Sequence, residues 1–562
     1  MPTQVSYPGV YIEEIPSGVR TITGVATSIT AFLGRTFRGT VDEPILISNF
    51  GNFEREFGGL HFDYPLTYAV KDFFLNGGSQ ALIVRLFKAP EGIEGRASLT
   101  GDGANLEAMT PGTWGNFLEA KKDTEGITET TFPDILKRYR LENKGLAVSD
   151  FFNLSITDKS SGRIERFLNL SAKPEAGVRY IETVLAQGSQ LVRFKQSTSS
   201  GATGSSETGS GEAGGSPSGT TGTGGTTSPT GTEGTTSSTG ASPDLGGKDS
   251  AALDQPAYLG GESDGFESKK KGLYALAKAD LFNLLCIPPD TSEGDTDVAI
   301  YDAALSYCQK RRAMLIVDPP SGWKNSSDLV SDAQAKLSDL GLTGERARNG
   351  AIFYPRVMKA DTTREGEVRS FVPCGLIAGI MARTDATRGV WKAPAGLDAS
   401  LSGVHGLEVS LIDQENGTLN QLGINCLRSF PVNGRVVWGA RTLRGADQLA
   451  DEYKYIPVRR LVLFIEESLY RGTQWAVFEP NDEPLWSQLR LNIGAFMNGL
   501  FRQGAFQGRT PQEAYFVKCD QETTTQNEIN LGIVNAVVGF APLKPAEFVV
   551  IKIQQIAGQI AV

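Results

Sequence analysis

"ITAFLG" at residues 29–34, "YPLTYAVKDFFLNGG" at 64–78 and "ALIVRLF" at 81–87 lie in one short span. The first and third are short apolar runs, the mark of strands buried on both faces, and the middle one has helical spacing and stops at Gly77 in the position of a C-cap. A strand, a helix and a strand in that order predict a parallel sheet with a helical crossover.

Working outward, the same rhythm returns after residue 249. "DLFNLLCIPP" (280–289) reads as a strand, "TDVAIYDAALSYCQKRR" (296–312) as an amphipathic helix, and "AMLIVDPP" (313–320) as a buried strand stopped by Pro319 and Pro320. "SSDLVSDAQAKLSDLG" (326–341) reads as a further capped helix and "NGAIFYP" (349–355) as a further strand. The two α/β stretches are therefore expected to build one domain, interrupted by what lies between them.

That interruption has two parts. Residues 101–195 read mainly as short strands, among them "FFNLSITD", "IERFLNLS" and "SQLVRF", and predict a β-rich insertion. Residues 197–248 are almost wholly Ser, Thr, Gly, Pro and Ala with a few acids, too poor in apolar area to offset their ordering entropy. A surface loop or tether with a reach of roughly 40 Å is expected there.

From about residue 425 the pattern changes. "GRVVWGART" (434–442) reads as a strand, "RRLVLFIEESLYRG" (459–472) as a strand running into a helix, and "PLWSQLRLNIGAFMNGLFRQGA" (484–505) as a longer helix. "EAYFVKC" (513–519) and a terminal strand follow, which predicts a separate α+β domain. The expected division is an arm at 1–20, the α/β domain at 21–95 and 249–424, the insertion at 96–196 and the loop at 197–248. The C-terminal domain is expected at 425–545 and a second arm at 546–562.

At 562 residues the chain exceeds what one core usually supports. Its net charge of -10, without a long Lys/Arg run, argues against nucleic acid as a partner. Apolar runs fall well short of the roughly 20 residues that span a bilayer, so no direct membrane insertion is expected. The start "MPTQVSYPGVYIEEIPSG" lacks a charged segment followed by an apolar one, so synthesis in a cytoplasm without Sec export is expected.

The chemistry-bearing residues point away from catalysis. Cys286, Cys308, Cys374, Cys426 and Cys519 are scattered singly, without metal-ligand spacing, and are expected as buried reduced thiols. His61 and His405 are the only histidines, and neither sits in a motif that supplies a triad. No phosphate-loop pattern occurs. The carboxylate pairs Glu13 with Glu14, Glu466 with Glu467 and Asp482 with Glu483 sit in polar contexts. The expectation is a non-enzyme with no metal and no cofactor.

Three stretches resemble the tail sheath family of contractile phage tails and phage-tail-like injection systems. They are "YPGVYIEEIPSGVRTITGVATSITAFLG" (7–34), "GLIAGIMARTDATRGVWKAPAG" (375–396), and a long third one. The third runs from "VVWGARTL" (436–443) through "YIPVRRL" and "IEESLYRGTQWAVFEPNDEPLW" to "PQEAYFVKCDQETTTQNEINLGIVNAVVGFAPLKPAEFVVIKI" (511–553). "PGTWGN" (111–116) and "ERFLNLS" (165–171) also look like the family.

The resemblance implies a subtilisin-like α/β domain without the protease's catalytic residues, plus a C-terminal domain facing an inner tube. It implies stacked six-fold rings that form an extended, metastable sleeve, which shortens at a baseplate and drives the tube through a target envelope. Partners implied are further copies of the chain, the inner tube protein, baseplate and terminal cap proteins, and sheath paralogues. The place of action is a contractile tail or injection particle. A non-contracting paralogue, a collar component and a degenerate hydrolase stay open as alternatives.

Arms that complete a neighbour's sheet are part of that implication. The segments with matching chemistry are Val10, Tyr11, Ile12, Glu13 and Ile15 at one end, and Phe548, Val549, Val550, Ile551, Lys552 and Ile553 at the other. Each offers a row of backbone donors and acceptors. The competing reading is an edge strand within the same subunit. For the tube-facing surface, Arg490, Asn492 and Arg502 on the helix at 485–504 are the candidates, against a helix wholly buried by Leu489, Ile493, Phe496 and Leu500.

Overall fold

In the computed structural model, which describes residues 20–103, 105–195, 245–261 and 265–552, the run at 29–34 becomes strand β1 (Thr30–Gly34). Its neighbours are β2 (Ile45–Ile47), β3 (Ala81–Arg85), β4 (Leu284–Cys286), β5 (Met314–Val317), β6 (Gly350–Tyr354), β7 (Ile424–Phe430) and β8 (Gly434–Val437). They form one sheet in the order β8-β7-β6-β5-β4-β1-β3-β2. The six strands from β7 to β3 run parallel, and β8 and β2 close the two edges antiparallel.

Because successive side chains point to opposite faces, each strand feeds two cores. Ala31, Leu33, Leu285, Leu315 and Ile352 face one side, where helix α2 (Val298–Lys310) brings Tyr301, Leu305 and Cys308. Phe32, Ile83, Cys286, Ile316 and Phe353 face the other, against helices α1 (Pro65–Leu75) and α3 (Cys374–Arg388). Burial on both faces is why these strands read as continuous apolar runs. The small residues of "GLIAG" have a steric reason. A Cβ on Gly375 would lie 2.0 Å from the Ala69 carbonyl oxygen, and one on Gly379 2.6 Å from that of Phe73. Glycine at both sites lets α3 rest on the backbone of α1.

The C-terminal part pairs helix α4 (Ile456–Gly472) with helix α5 (Glu483–Arg502), followed by the hairpin β9 (Tyr515–Lys518) and β10 (Val537–Phe540). Leu461, Ile465, Ile493, Met497 and Leu500 form its core with Ile22. An ion pair from Arg460 to Asp385 joins α4 to α3. Both side chains are 4% exposed, and Arg460 also donates to the Thr27 carbonyl at 2.9 Å.

Two sequence expectations need correction. Residues 425–442, assigned to a separate C-terminal domain, lie in the main sheet as β7 and β8 and in the segment that follows. A strand pattern does not say which sheet a strand joins. The run 459–472 is helix throughout. Its apolar residues recur with helical as well as strand spacing, and the Pro457 next to its start suits a first helical turn.

Residues Ala89–Asp249 form a second compact unit. Its sheet pairs Leu118–Asp123, Phe151–Asp158 and Arg163–Ser171 antiparallel, as the strand pattern implied. Two helices, Phe132–Tyr139 and Ile181–Gly188, were not expected in this mainly β reading. The expected loop at 197–248 lies outside the described residues except for its last four, 245–248.

Candidate assembly surfaces

After β10 the chain runs without helix or strand through its last described residues. Glu547 fixes its base. Arg441 donates from Nε to Glu547 Oε1 at 2.7 Å and from Nη2 to Oε2 at 2.6 Å, a two-pronged contact that holds the carboxylate plane. The Arg441 side chain is fully buried, and it also donates to Asp447 and to the Asn420 and Gly445 carbonyls. Burial raises the Glu547 carboxyl, but the hydrogen bonds and charge of Arg441 outweigh it and leave the group below its ordinary range.

Beyond this clamp the environment reverses. Phe548, Val549, Val550 and Ile551 are 74, 82, 78 and 79% exposed, with Lys552 after them. Four consecutive large apolar residues stand in water on a segment with no sheet partner among the described residues. Ile553 lies outside the described residues, as do Val10, Tyr11, Ile12, Glu13 and Ile15.

The hairpin β9–β10 is short of strands in the same sense. Its register runs from Tyr515 opposite Phe540 to Lys518 opposite Val537, and among the described residues the sheet stops at two strands. Phe516 and Val537 are exposed on it. The exposed Phe516 ring lies over Gly539, where a Cβ would come within 2.3 Å of it, so a larger residue would push the ring aside. A two-stranded sheet is marginal by itself and gains from further strands.

The chain enters this region through a strap at residues 20–27. The Arg20 backbone N–H donates to Asn492 Oδ1 at 3.0 Å, and the Arg20 guanidinium lies over the Trp475 ring at 4.4 Å. The Val25 N–H donates to Ser468 Oγ at 3.2 Å. Asn492, expected on the tube-facing surface, is therefore a correction: it is 1% exposed and turned inward to hold the strap. Helical spacing put it beside Ile493 on the inner face, and polarity alone misled.

Arg490 is half-buried and bonded to Glu483 and the Cys519 carbonyl, whereas Arg502 is exposed at the end of α5 with no ion pair among the described residues. The outward stripe of α5 is Gln488, Leu491, Ala495, Asn498 and Arg502. The first four were missed, although their spacing of three and four residues is readable once Leu489, Ile493 and Leu500 are placed in the core.

At the carboxyl ends of the parallel strands, where open α/β sheets usually bind ligands, the side chains serve one another. Arg35 after β1 donates to Asp290 after β4 at 2.6 Å and stacks over Tyr64 at 4.8 Å. Asp318 after β5 accepts the Cys374 N–H at the start of α3 at 2.9 Å, and burial pushes its carboxyl up to about 7. His61 stacks among Phe37, Phe62 and Tyr64, and His405 sits exposed on a loop. The five cysteines are free and buried. Among the described residues no helix is long and apolar enough to cross a membrane.

Comparison with known families bears on what these surfaces are for. Residues 268–443 match the phage tail sheath protein central domain, and residues 450–556 match the phage tail sheath C-terminal domain. The chain belongs to the contractile tail sheath family. The tail sheath protein of Vibrio phage KVP40 is 29% identical over 231 residues, 41% of this chain and 32% of that one. The tail sheath protein of Enterobacteria phage T4 is 26% identical over 166 residues, 29% of this chain and 24% of that one. The chain thus spans a third or less of the length of these two curated relatives.

In three dimensions the sheath of the PVC extracellular contractile injection system, in its contracted state, is similar over 98% of both chains. The identity is 20% and the TM-score 0.53, which speaks to the fold. The central-domain match ends at residue 443, just after β8, which agrees with β7 and β8 belonging to the main sheet of this sheath chain.

Proposed function

We propose that the chain is a structural sheath subunit that polymerises as stacked six-fold rings around an inner tube. The sleeve contracts from a metastable extended state and drives the tube through a target envelope. The observation that carries this reading is the C-terminal arm, a clamped base at Glu547 followed by exposed Phe548, Val549, Val550 and Ile551. Such a segment adds to the open edge of another subunit's sheet through main-chain bonds, and the hairpin β9–β10 is the acceptor.

Exchanged strands let subunits turn and slide as rigid bodies while the chains stay joined. A kinetic barrier would hold the extended lattice until the baseplate releases it. The main sheet would be a subtilisin-like domain that keeps the architecture for packing rather than proteolysis. Baseplate and cap proteins would bind the ends of the sleeve within a tail or injection particle. The N-terminal arm, with Val10, Tyr11, Ile12, Glu13 and Ile15, would be the second donated strand.

The outward stripe of α5 would face the tube, with Arg502 and Gln488 making polar contacts weak enough to release. Arg502→Glu should lower the fraction of tube-filled sheaths seen by electron microscopy, and an unchanged fraction would remove α5 from the tube interface. The whole reading is tested by electron microscopy of full-length protein and of a version ending at Pro545, each with and without the tube protein. Striated cylinders from the first and soluble monomers from the second support it. Monomers from both in the presence of tube contradict it.

A further inference from the structure

The loop between α4 and α5 carries the most exposed apolar side chain in the described structure. Phe478 is 103% exposed and holds a left-handed backbone with φ +69°, a conformation that costs a bulky residue free energy. Val477 beside it is 63% exposed. The acid beside them is Glu479, exposed without an ion pair among the described residues, whereas Asp482 caps α5 and Glu483 pairs with Arg490. The result is an apolar knob with one uncommitted carboxylate next to it, held outward by a strained backbone.

Elsewhere on the same unit is a site of opposite character. A cleft of about 1060 Å³ opens beside the base of the C-terminal arm. Trp391 and Trp438 give it aromatic walls, and Arg388, Lys392 and Lys544 give it cations. Its one lining carboxylate, Glu547, is committed to Arg441. Arg388 forms one ion pair among the described residues, a long one of 4.0 Å to the exposed Asp398, and Asp385 one helical turn away is committed to Arg460. Lys392 donates to the Ala393 carbonyl at 2.9 Å, and burial, then the charge of Arg388, lowers its ammonium from the ordinary value. A carboxylate brought into this cleft therefore relieves an existing electrostatic cost.

We infer that Phe478 and Val477 of one copy of this chain insert into the cleft walled by Trp391 and Trp438 on a second copy, with Glu479 meeting Lys392. The knob and the cleft are different patches, so the contact is head-to-tail and propagates instead of closing a pair, as a helical or ring lattice requires. Buried aromatic anchors in desolvated pockets commonly dominate such contacts, while the charges fix register and exclude wrong partners. The inference rests on the sheath reading for its setting; Phe548 and Val549 of the arm border the cleft, but the contact itself is made by side chains and needs no exchanged strand.

The test uses the full-length chain with Glu479→Cys and Lys392→Cys together. The native cysteines are buried, so oxidation reports on the new pair. The expected result is a ladder of disulfide-linked multimers from the double variant and none from either single variant. Cylinders that form without a ladder overturn the inference and leave the sheath reading standing. A ladder without cylinders upholds the contact, and the sheath reading then falls if the unsubstituted chain also forms no cylinders with tube protein present. A second measurement reads the energetics. Phe478→Ala should raise the critical concentration for assembly at least tenfold with an unchanged melting temperature. Glu479→Lys and Lys392→Glu should each impair assembly and restore it when combined. Unchanged assembly by Phe478→Ala, or a charge swap no better than its single changes, contradicts the docking.

Discussion

Replacing Val549 and Ile551 by serine isolates what the C-terminal arm gains from a neighbour. In an extended strand these two residues share one face, with Val550 and Lys552 on the other. They are 82 and 79% exposed in the isolated subunit. Burying an exposed Val or Ile fully is worth about 1.5–3 kcal/mol, so burying the pair from this starting point gives about 2.5–5 kcal/mol. Serine keeps the main-chain bonds of an added strand, so only the side-chain part is lost. A loss of about 3 kcal/mol corresponds to a critical concentration about 100-fold higher. The assay is pelleting of striated cylinders over a range of subunit concentrations with tube protein present. Lys552→Ser, on the opposite face, should change the value less than about threefold. The melting temperature of unassembled subunits should not move, because the substituted side chains are already in water. An unchanged critical concentration would refute strand donation by this face. A melting temperature several degrees lower would show that the side chains pack within their own subunit.

Other expectations concern the frame that holds the arms. Gly375→Ala places a methyl 2.0 Å from the Ala69 carbonyl oxygen and should cost about 1–3 kcal/mol or more, read as a lower melting temperature; a shift within one degree would contradict the close helix contact. Asp385→Ala strands the buried Arg460 and should cost about 3–5 kcal/mol in urea unfolding. Asp385→Leu with Arg460→Met should recover most of that loss, and equal losses from the single and double changes would argue against a coupled pair. Asp318 gives a pH dependence. Its carboxyl is raised from an ordinary value near 3.8 to about 7. The stability from its protonated form is therefore present below the lower value and lost as pH rises through the upper one. Asp318→Asn should stabilise the fold at pH 8, with about 4 kcal/mol as the upper bound, and have little effect at pH 3.5; equal effects at both would refute the assignment.

The doubly covered sheet was legible because its strands are buried on two faces and therefore write themselves as apolar runs. "ALIVRLF" and "AMLIVDPP" are strands β3 and β5 within a residue or two. The crossover helix at 64–78 was marked by its helical spacing and by Gly77, and the structure adds Pro65 in its first turn. β7 and β8 were placed in the wrong domain because strand partners are set by tertiary packing that local patterning does not encode. Asn492 was misplaced because a polar residue that satisfies a distant backbone N–H looks like a surface residue in one dimension. The Arg441–Glu547 clamp was invisible for the same reason, since 106 positions separate its partners. The apolar alternation of "EFVVIKI" was legible, but what it packs against is set by tertiary or quaternary contacts that local patterning does not encode.

The central claim is that the arm beyond Glu547 pairs with another subunit. Electron cryomicroscopy of tube-filled cylinders, at a resolution that traces the main chain, tests it directly. The account expects residues 548–552 of each subunit to lie as a strand hydrogen-bonded to the β9–β10 hairpin of a neighbour. A segment folded back along its own subunit, with the hairpin still two-stranded, would contradict it.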